Sequence, residues 1–213
     1  MSHQDFVIRP FEPEKDLEAA YKCYVSGFYH CLWPLIDHAE KRFTHEIILM
    51  SHAISDVSLI AEADGEARGI LMGFFPRELK SLLRAALHSI AFNVQVLLRK
   101  YKMSPFAKAA YWQGIRGDLS NILHGTESVA EVLLLTSQKD YRKGIGTALM
   151  DAWVEEVRKR GYKKTTLCTD STVNWRFYEK YGFKRIAEYP LKSFYYALPG
   201  VDVTGYRYVL ELD

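Results

Sequence analysis

Two glycines, Gly144 and Gly146, stand in the run Asp140-Tyr141-Arg142-Lys143-Gly144-Ile145-Gly146, between the apolar segment Val132 to Leu135 and a helical pattern reaching Arg160. A strand, a glycine loop and a helix start, in that order, present unpaired backbone N–H groups beside the positive end of the helix dipole, and that arrangement binds phosphate. Glycine lets a bulky anion approach the chain closely. The run is not a dinucleotide fingerprint, because Leu149 stands where a further glycine belongs and the nearest following acid, Asp151, lies inside the helix. Nor is it a nucleoside-triphosphate loop, which requires Gly-Lys-Ser/Thr.

A second group follows about thirty residues on, after a strand-like segment Lys164 to Thr169: Asn174-Trp175-Arg176-Phe177-Tyr178-Glu179-Lys180-Tyr181-Gly182-Phe183. Strand, Gly-x-Gly loop, helix, strand and then Asn-x-x-x-Tyr-x-x-x-Gly-Phe together resemble the GNAT superfamily of N-acetyltransferases, which transfer acyl groups from acyl-coenzyme A. The resemblance covers about residues 129 to 189. It extends to Val7-Ile8-Arg9-Pro10 and Asp16-Leu17-Glu18, which are similar to the usual opening strand and first helix, and is poor between residues 76 and 128. The family loop begins with Gln or Arg, whereas an ungapped match puts Tyr141 there; a loop one residue shorter puts Arg142 in that role.

The resemblance implies an α/β (α+β) fold with a mixed, mostly antiparallel central sheet flanked by helices, and acetyl-coenzyme A as the acyl donor. In the family the strand before the loop splays from its neighbour, and its exposed backbone pairs with the pantetheine amides. That implies Leu135, Thr136 and Ser137 for the pantetheine, with one N–H of the strand facing the developing oxyanion. Arg142, Lys143, Gly144, Ile145, Gly146 and Thr147 would hold the pyrophosphate, mainly by backbone N–H groups. Asn174 resembles the asparagine that fixes the cofactor chain, and as an asparagine near a helix start it also suits a cap.

Transfer of an acyl group to an amine needs a neutral amine, oxyanion stabilisation and a proton for the departing thiolate. Tyr178 occupies the place of the family's tyrosine acid. A phenol with a reference pKa of about 10 is protonated at neutral pH and can donate to a thiolate whose thiol titrates at about 8.5. Glu131, at the start of the pre-loop strand, resembles the general-base glutamate of some members. The expected activity is acetylation of a primary amine on a small-molecule or peptide acceptor; the alternative, motivated by Tyr141, is a catalytically silent acyl-coenzyme A-binding or regulatory module.

The remaining residues set bounds. No His-x-x-x-His or mixed Cys/His spacing suggests a metal, and Cys168 reads as a packed strand residue. Phe28, Tyr29, Trp33, Tyr111 and Trp112 suit either ordinary core packing or an acceptor pocket. A net charge of +2 over 213 residues is too mild for a nucleic-acid binder. Three cysteines without a Cys-x-x-Cys pair suit a reducing cytoplasm, and no secretory signal or transmembrane segment is visible.

Around these motifs the pattern predicts a strand at Phe6 to Arg9, helices at Asp16 to Ser26 and Leu35 to His52, and a hairpin turning at Asp64-Gly65. After the loop come a helix Ile145 to Arg160, a strand Thr165 to Thr169, a helix Val173 to Tyr181, and strands Phe183 to Tyr189 and Arg207 to Leu212. The chain reads as a single domain, 1–213, interrupted at about 76–126 by a helical insertion. Between Pro76 and Leu123 eight Lys and Arg face two acidic residues, a local excess of six positive charges. That excess suits a solvated basic face, or contact with a membrane surface, an acidic protein or the 3′-phosphate of coenzyme A. A homodimer is compatible with the sequence.

Overall fold

The computed structural model describes residues 6–76, 78–123, 130–141 and 144–212, with 118–123 described by backbone alone. Seven strands form one sheet: β1 (Val7–Pro10), β2 (Val57–Ala63), β3 (Glu66–Phe74), β4 (Glu131–Ser137), β5 (Lys164–Asp170), β6 (Lys184–Pro190) and β7 (Thr204–Glu211). Their order is β1-β2-β3-β4-β5-β7-β6, and every neighbouring pair is antiparallel except β4 and β5. This is the mixed, mostly antiparallel sheet expected. The β2–β3 hairpin turns at Asp64 and Gly65, both at positive φ (54° and 76°), the conformation that an Asp-Gly pair supplies cheaply.

Helices cover both faces. Along α5 (Ile145–Lys159), Ile145, Leu149, Met150, Trp153, Val154 and Val157 recur at helical spacing and are all buried, with Leu71, Val132, Leu167 and Tyr208, against one face. Trp153 lies flat against the sheet because Gly73 leaves room: a Cβ at Gly73 would sit 2.7 Å from the indole. Its Nε1 donates to Thr165 Oγ1 at 2.8 Å, so the buried polar atom is satisfied.

The other face carries α1 (Pro13–His38) and α2 (Lys41–Ile54), whose Ala20, Cys23, Tyr24 and Ile48 pack on Ile60, Ile70, Met72 and Leu134. Pro13 suits the first turn of α1, and the buried Asp16 accepts a hydrogen bond from the Glu12 N–H at 2.8 Å and two at 2.7 Å from Arg9. The expected helix from Asp16 to Ser26 thus runs 26 residues, through Pro34, to His38. The expected single helix Leu35 to His52 is divided at Ala39 and Glu40, where Ala39 bridges Met103 instead of continuing the helix.

The basic segment forms α3 (Leu79–Leu97) and α4 (Pro105–Leu123), with Ser104 Oγ accepting from the Ala107 N–H at 3.1 Å. Phe92 and Val96 of α3, Tyr111 of α4 and Tyr101 between them pack around Phe43 of α2. The apolar periodicity of α3 has the opposite consequence from a core-facing helix: Leu79, Leu83, Leu87, Ile90, Val94, Leu97 and Leu98 are all exposed. The helix inserts only Ser81, Phe92 and Val96.

Asp56 fastens α3 to the sheet. Its carboxylate accepts from the Phe75 N–H (2.9 Å), Ser81 Oγ (2.8 Å) and Arg84 Nη2 (2.6 Å). Burial by itself pushes this carboxyl upward; the Arg84 guanidinium, the Phe75 amide and the Ser81 hydroxyl outweigh it and hold the group below the ordinary aspartate range. Because the native value is depressed, the stabilisation is present above the unfolded value and lost as pH falls below about 4. We expect Asp56→Ala to cost about 2–4 kcal/mol in urea unfolding at pH 7, with the difference from wild type shrinking in acid. A constant difference from pH 7 to pH 3 would show that the charge is not responsible.

Candidate functional site

The β4–β5 pairing consists of Glu131 opposite Thr166 and Val132 opposite Leu167, and goes no further. Beyond it the strands part, and a cleft of about 680 Å³ opens between them, lined by Leu133 to Ser137 on one side and Cys168 to Asp170 on the other. The register of β4 against β3 shows why. Met72 faces Leu134 and Gly73 faces Val132, so Leu133 is an extra residue, a β-bulge, and bulges bend and twist their strand. The bulge also reverses side-chain alternation, so that Val132 joins the core under α5 whereas Leu134 joins the one under α1. Leu133 itself lies at the cleft, 37% exposed.

The glycine loop stands at the same cleft. Gly144 has φ 83° and ψ 7°, a left-handed conformation that L side chains rarely adopt, and serves as the N-cap of α5. Gly144, Gly146 and Thr147 line the opening, while the Ile145 side chain turns into the core. The first N–H groups of α5 lack intrahelical partners there. Arg142 and Lys143 lie outside the described residues. Tyr141 packs against the α5 core, with the Arg68 guanidinium 5.7 Å from its ring centroid.

Opposite the loop, Asn174 and Tyr178 also line the cleft. The helix α6 (Arg176–Tyr181) starts later than the expected Val173, with Trp175 as its N-cap and no side-chain cap bond there. The Asn174 backbone carbonyl accepts from the Phe177 N–H at 3.1 Å, and the residue lies on the cleft lining. Tyr178 is sandwiched among Phe177, Phe183 and Tyr208, and among the described residues its hydroxyl has no hydrogen-bond partner. Burial, with the nearby charge of Asp170, raises its pKa well above the ordinary tyrosine value, so it stays protonated at neutral pH. So short a helix needs tethers. Glu179 Oε1 accepts from Arg185 Nη2 (2.7 Å) and Tyr208 Oη (2.9 Å), and Tyr181 Oη donates to Asp151 of α5 at 2.6 Å.

Glu131 stands at the root of the opening, outside the lining, 3.1 Å from Arg207 Nη1. Arg207, only 2% exposed, also donates to Cys168 Sγ and to Thr166 Oγ1 at 3.2 Å. Cys168 is therefore half-buried at the cleft rather than a simple packing residue, and burial raises its thiol pKa despite the Arg207 charge. Burial likewise pushes the thiols of Cys23 and Cys31 up to about 11 and about 12. None of the three is a thiolate nucleophile at neutral pH.

Several lining residues carry no motif. Gly27, Phe28 and His30 of α1 cross the opening, and Asp170 accepts from the Thr172 N–H at 2.7 Å and from its hydroxyl, which in turn lies 3.2 Å from His30 Nε2. Of the five aromatic residues singled out in the sequence only Phe28 reaches the cleft. Tyr29 is exposed, Trp33 donates to the Ala197 carbonyl, and Tyr111 and Trp112 pack with α2 and α3. Among the described residues no cluster of three His, Cys, Asp or Glu could hold a metal, and no helix is long and apolar enough to cross a membrane.

Residues 114–185 match the family model described as the acetyltransferase (GNAT) domain. Among solved structures, Ard1 from Thermoplasma volcanium is 17% identical, with a TM-score of 0.56 and 98% of this chain and 99% of that one covered. PH1933 from Pyrococcus horikoshii is 13% identical, with a TM-score of 0.60 over 98% and 99%. A GNAT family acetyltransferase from Elizabethkingia anophelis with acetyl-CoA bound is 14% identical, with a TM-score of 0.55 over 99% and 100%. No curated protein matches the chain in sequence. Domain match, sheet order and loop agree: residues 114–185 carry the match to the acetyltransferase (GNAT) domain, and the whole chain has a GNAT-like fold.

The close approach of α1 to β4 generates a test. A Cβ at Gly27 would lie 2.0 Å from Thr136 Oγ1, which donates to the Cys23 carbonyl at 3.0 Å. Gly27→Ala must therefore lift α1 from β4 or turn the threonine away, at an expected cost of about 1–3 kcal/mol in chemical unfolding. Restoration of wild-type stability in Gly27→Ala/Thr136→Ala would confirm that this contact is the cause.

Proposed function

We propose that the protein is an N-acyltransferase that moves an acetyl group from acetyl-coenzyme A to a primary amine of a small molecule or peptide, acting as one domain that includes the helical segment at about 76–126; residues 77 and 124–126 of that segment lie outside the described residues. The observation that carries this reading is the parting of β4 from β5 beyond Val132 and Leu167, directly beside the left-handed Gly144. Pantetheine would lie along the free edge of β4 at Leu135, Thr136 and Ser137, paired through backbone groups, since the Thr136 hydroxyl is committed to Cys23. The pyrophosphate would meet the N–H groups of Gly144, Ile145, Gly146 and Thr147 at the start of α5, with Arg142 and Lys143 adding charge. Asn174, on the cleft lining, is suited to hold the cofactor chain through its amide.

In this reading the amine nitrogen attacks the thioester carbon from the α1 side, the C–S bond breaks, and Tyr178 protonates the leaving thiolate before regaining a proton from solvent. Its raised pKa keeps the proton in place, and its hydroxyl, without a hydrogen-bond partner among the described residues, could turn to sulfur. Glu131 would accept the amine proton through water. Its carboxylate also accepts a hydrogen bond from Arg207 at 3.1 Å. The three free cysteines support a reducing, cytoplasmic setting.

Calorimetric titration with acetyl-coenzyme A tests the reading, and absence of binding up to about 1 mM would overturn it. We expect Gly144→Asp to weaken cofactor binding, because the new side chain is strained at φ 83° and its charge opposes a pyrophosphate. Tyr178→Phe should lower turnover roughly ten- to a thousandfold with cofactor affinity nearly unchanged. With wild type, turnover should rise as the acceptor amine loses its proton and show no Tyr178-dependent fall below about pH 10. Full turnover of Tyr178→Phe in an assay limited by the chemical step would remove Tyr178 as the acid.

A further inference from the structure

The outward face of α3 is unusual for a surface helix. Leu83, Leu87, Ile90, Val94 and Leu97 follow one another at intervals of four and three, with Leu79 and Leu98 at the ends, and each keeps 44–68% of its surface open to water. Ser81, Phe92 and Val96, on the opposite side, hold the helix to the protein, so the apolar stripe points straight away from it. The alternating four-and-three spacing is that of a helix–helix seam, in which each side chain seats between four of a facing helix. Seven large apolar side chains, each 44–68% exposed along one helix face, make a contiguous apolar patch of the kind that marks an interaction site rather than scattered surface residues.

We propose that this face is a homodimer interface in which α3 packs antiparallel on α3 of a second copy, about a two-fold axis near Ile90. The seam is self-complementary in that arrangement, because Leu83 of one copy lies near Leu97 of the other and Leu87 near Val94. The flanks favour a protein partner over a bilayer. A helix lying on an anionic membrane carries cations along the sides of its apolar face. Here the sides are Ser89, Asn93 and Gln95, which are neutral, His88, and Arg84, which is committed to Asp56 at 2.6 Å. Lys80, Arg99 and Lys100 lie at the two ends. Antiparallel pairing brings those like charges near one another, but they are exposed and screened, and such pairs weigh little against burial of the stripe.

Sedimentation velocity or light scattering on the full chain at about 5–100 μM is the test, with an expected mass of twice the 24.6 kDa chain. Ile90→Glu should give a single-chain mass with an unchanged circular dichroism spectrum, since the side chain it replaces is exposed in the single chain, and a melting midpoint that no longer depends on protein concentration. Ile90→Cys should form a covalent dimer under mild oxidation, whereas wild type, with Cys23 and Cys31 buried and Cys168 half-buried within the cleft, should not. The proposal fails if wild type is a single chain at the highest concentration, or if Ile90→Glu remains dimeric. It fails equally if the chain is monomeric in buffer and sediments with phosphatidylglycerol vesicles, which would assign the stripe to lipid.

Discussion

Hydrogen bonding between β4 and β5 ends after Glu131–Thr166 and Val132–Leu167, and the rest of the molecule is arranged to tolerate that interruption. A sheet that loses its ladder halfway along two central strands leaves N–H and C=O groups without partners, at a cost comparable to lost hydrogen bonds unless something else pairs with them. The bulge at Leu133 turns β4 away, and both strands stay anchored at their starts through neighbours on their outer sides: β3 holds β4 along its length, and β7 holds β5 from Lys164 to Asp170. The gap therefore persists as a slot of fixed shape whose open edge can accept an extended ligand.

The polar chemistry of the slot is separated by the two faces of the sheet. On the α5 side sit aromatic rings and the tethered α6, a dry setting that favours the neutral form of Tyr178. On the α1 side sit Glu131, Arg207, Cys168 and Asp170, a charged setting in which Arg207 is held inside the protein by carboxylate, thiol and hydroxyl partners. The two faces of the sheet thus offer opposite environments at one slot, one dry and one charged.

The α3–α4 segment follows a different logic. It contributes Phe92, Val96, Tyr101 and Tyr111 to a third core built on α2, away from the slot, and is pinned to the sheet chiefly through Asp56. Its excess of positive charge is spent partly on that pin, through Arg84, and the long exposed stripe beside it has no use within a single chain.

The sequence by itself determined the local elements and the glycine loop, because these rest on interactions between near neighbours. Asp64-Gly65 turns a hairpin, Ser104-Pro105 starts a helix, Gly182 at φ 117° ends one, and Gly144 adopts a backbone angle that glycine tolerates. It also singled out Asn174 and Tyr178, although Asn174 precedes the helix that carries Tyr178 and reaches the same cleft from the turn before it. Only the tertiary structure decided the rest. The bulge at Leu133 sits inside an uninterrupted apolar run with no glycine or proline to mark it, and exists because β3 and two different cores compete for consecutive side chains. Arg207, distant in sequence from Glu131, reaches it only because β7 lies beside β5. The same periodicity that predicts a helix over α3 cannot say which way its leucines face, because apolar spacing records that a stripe exists and only packing decides whether the stripe turns to the core or to water.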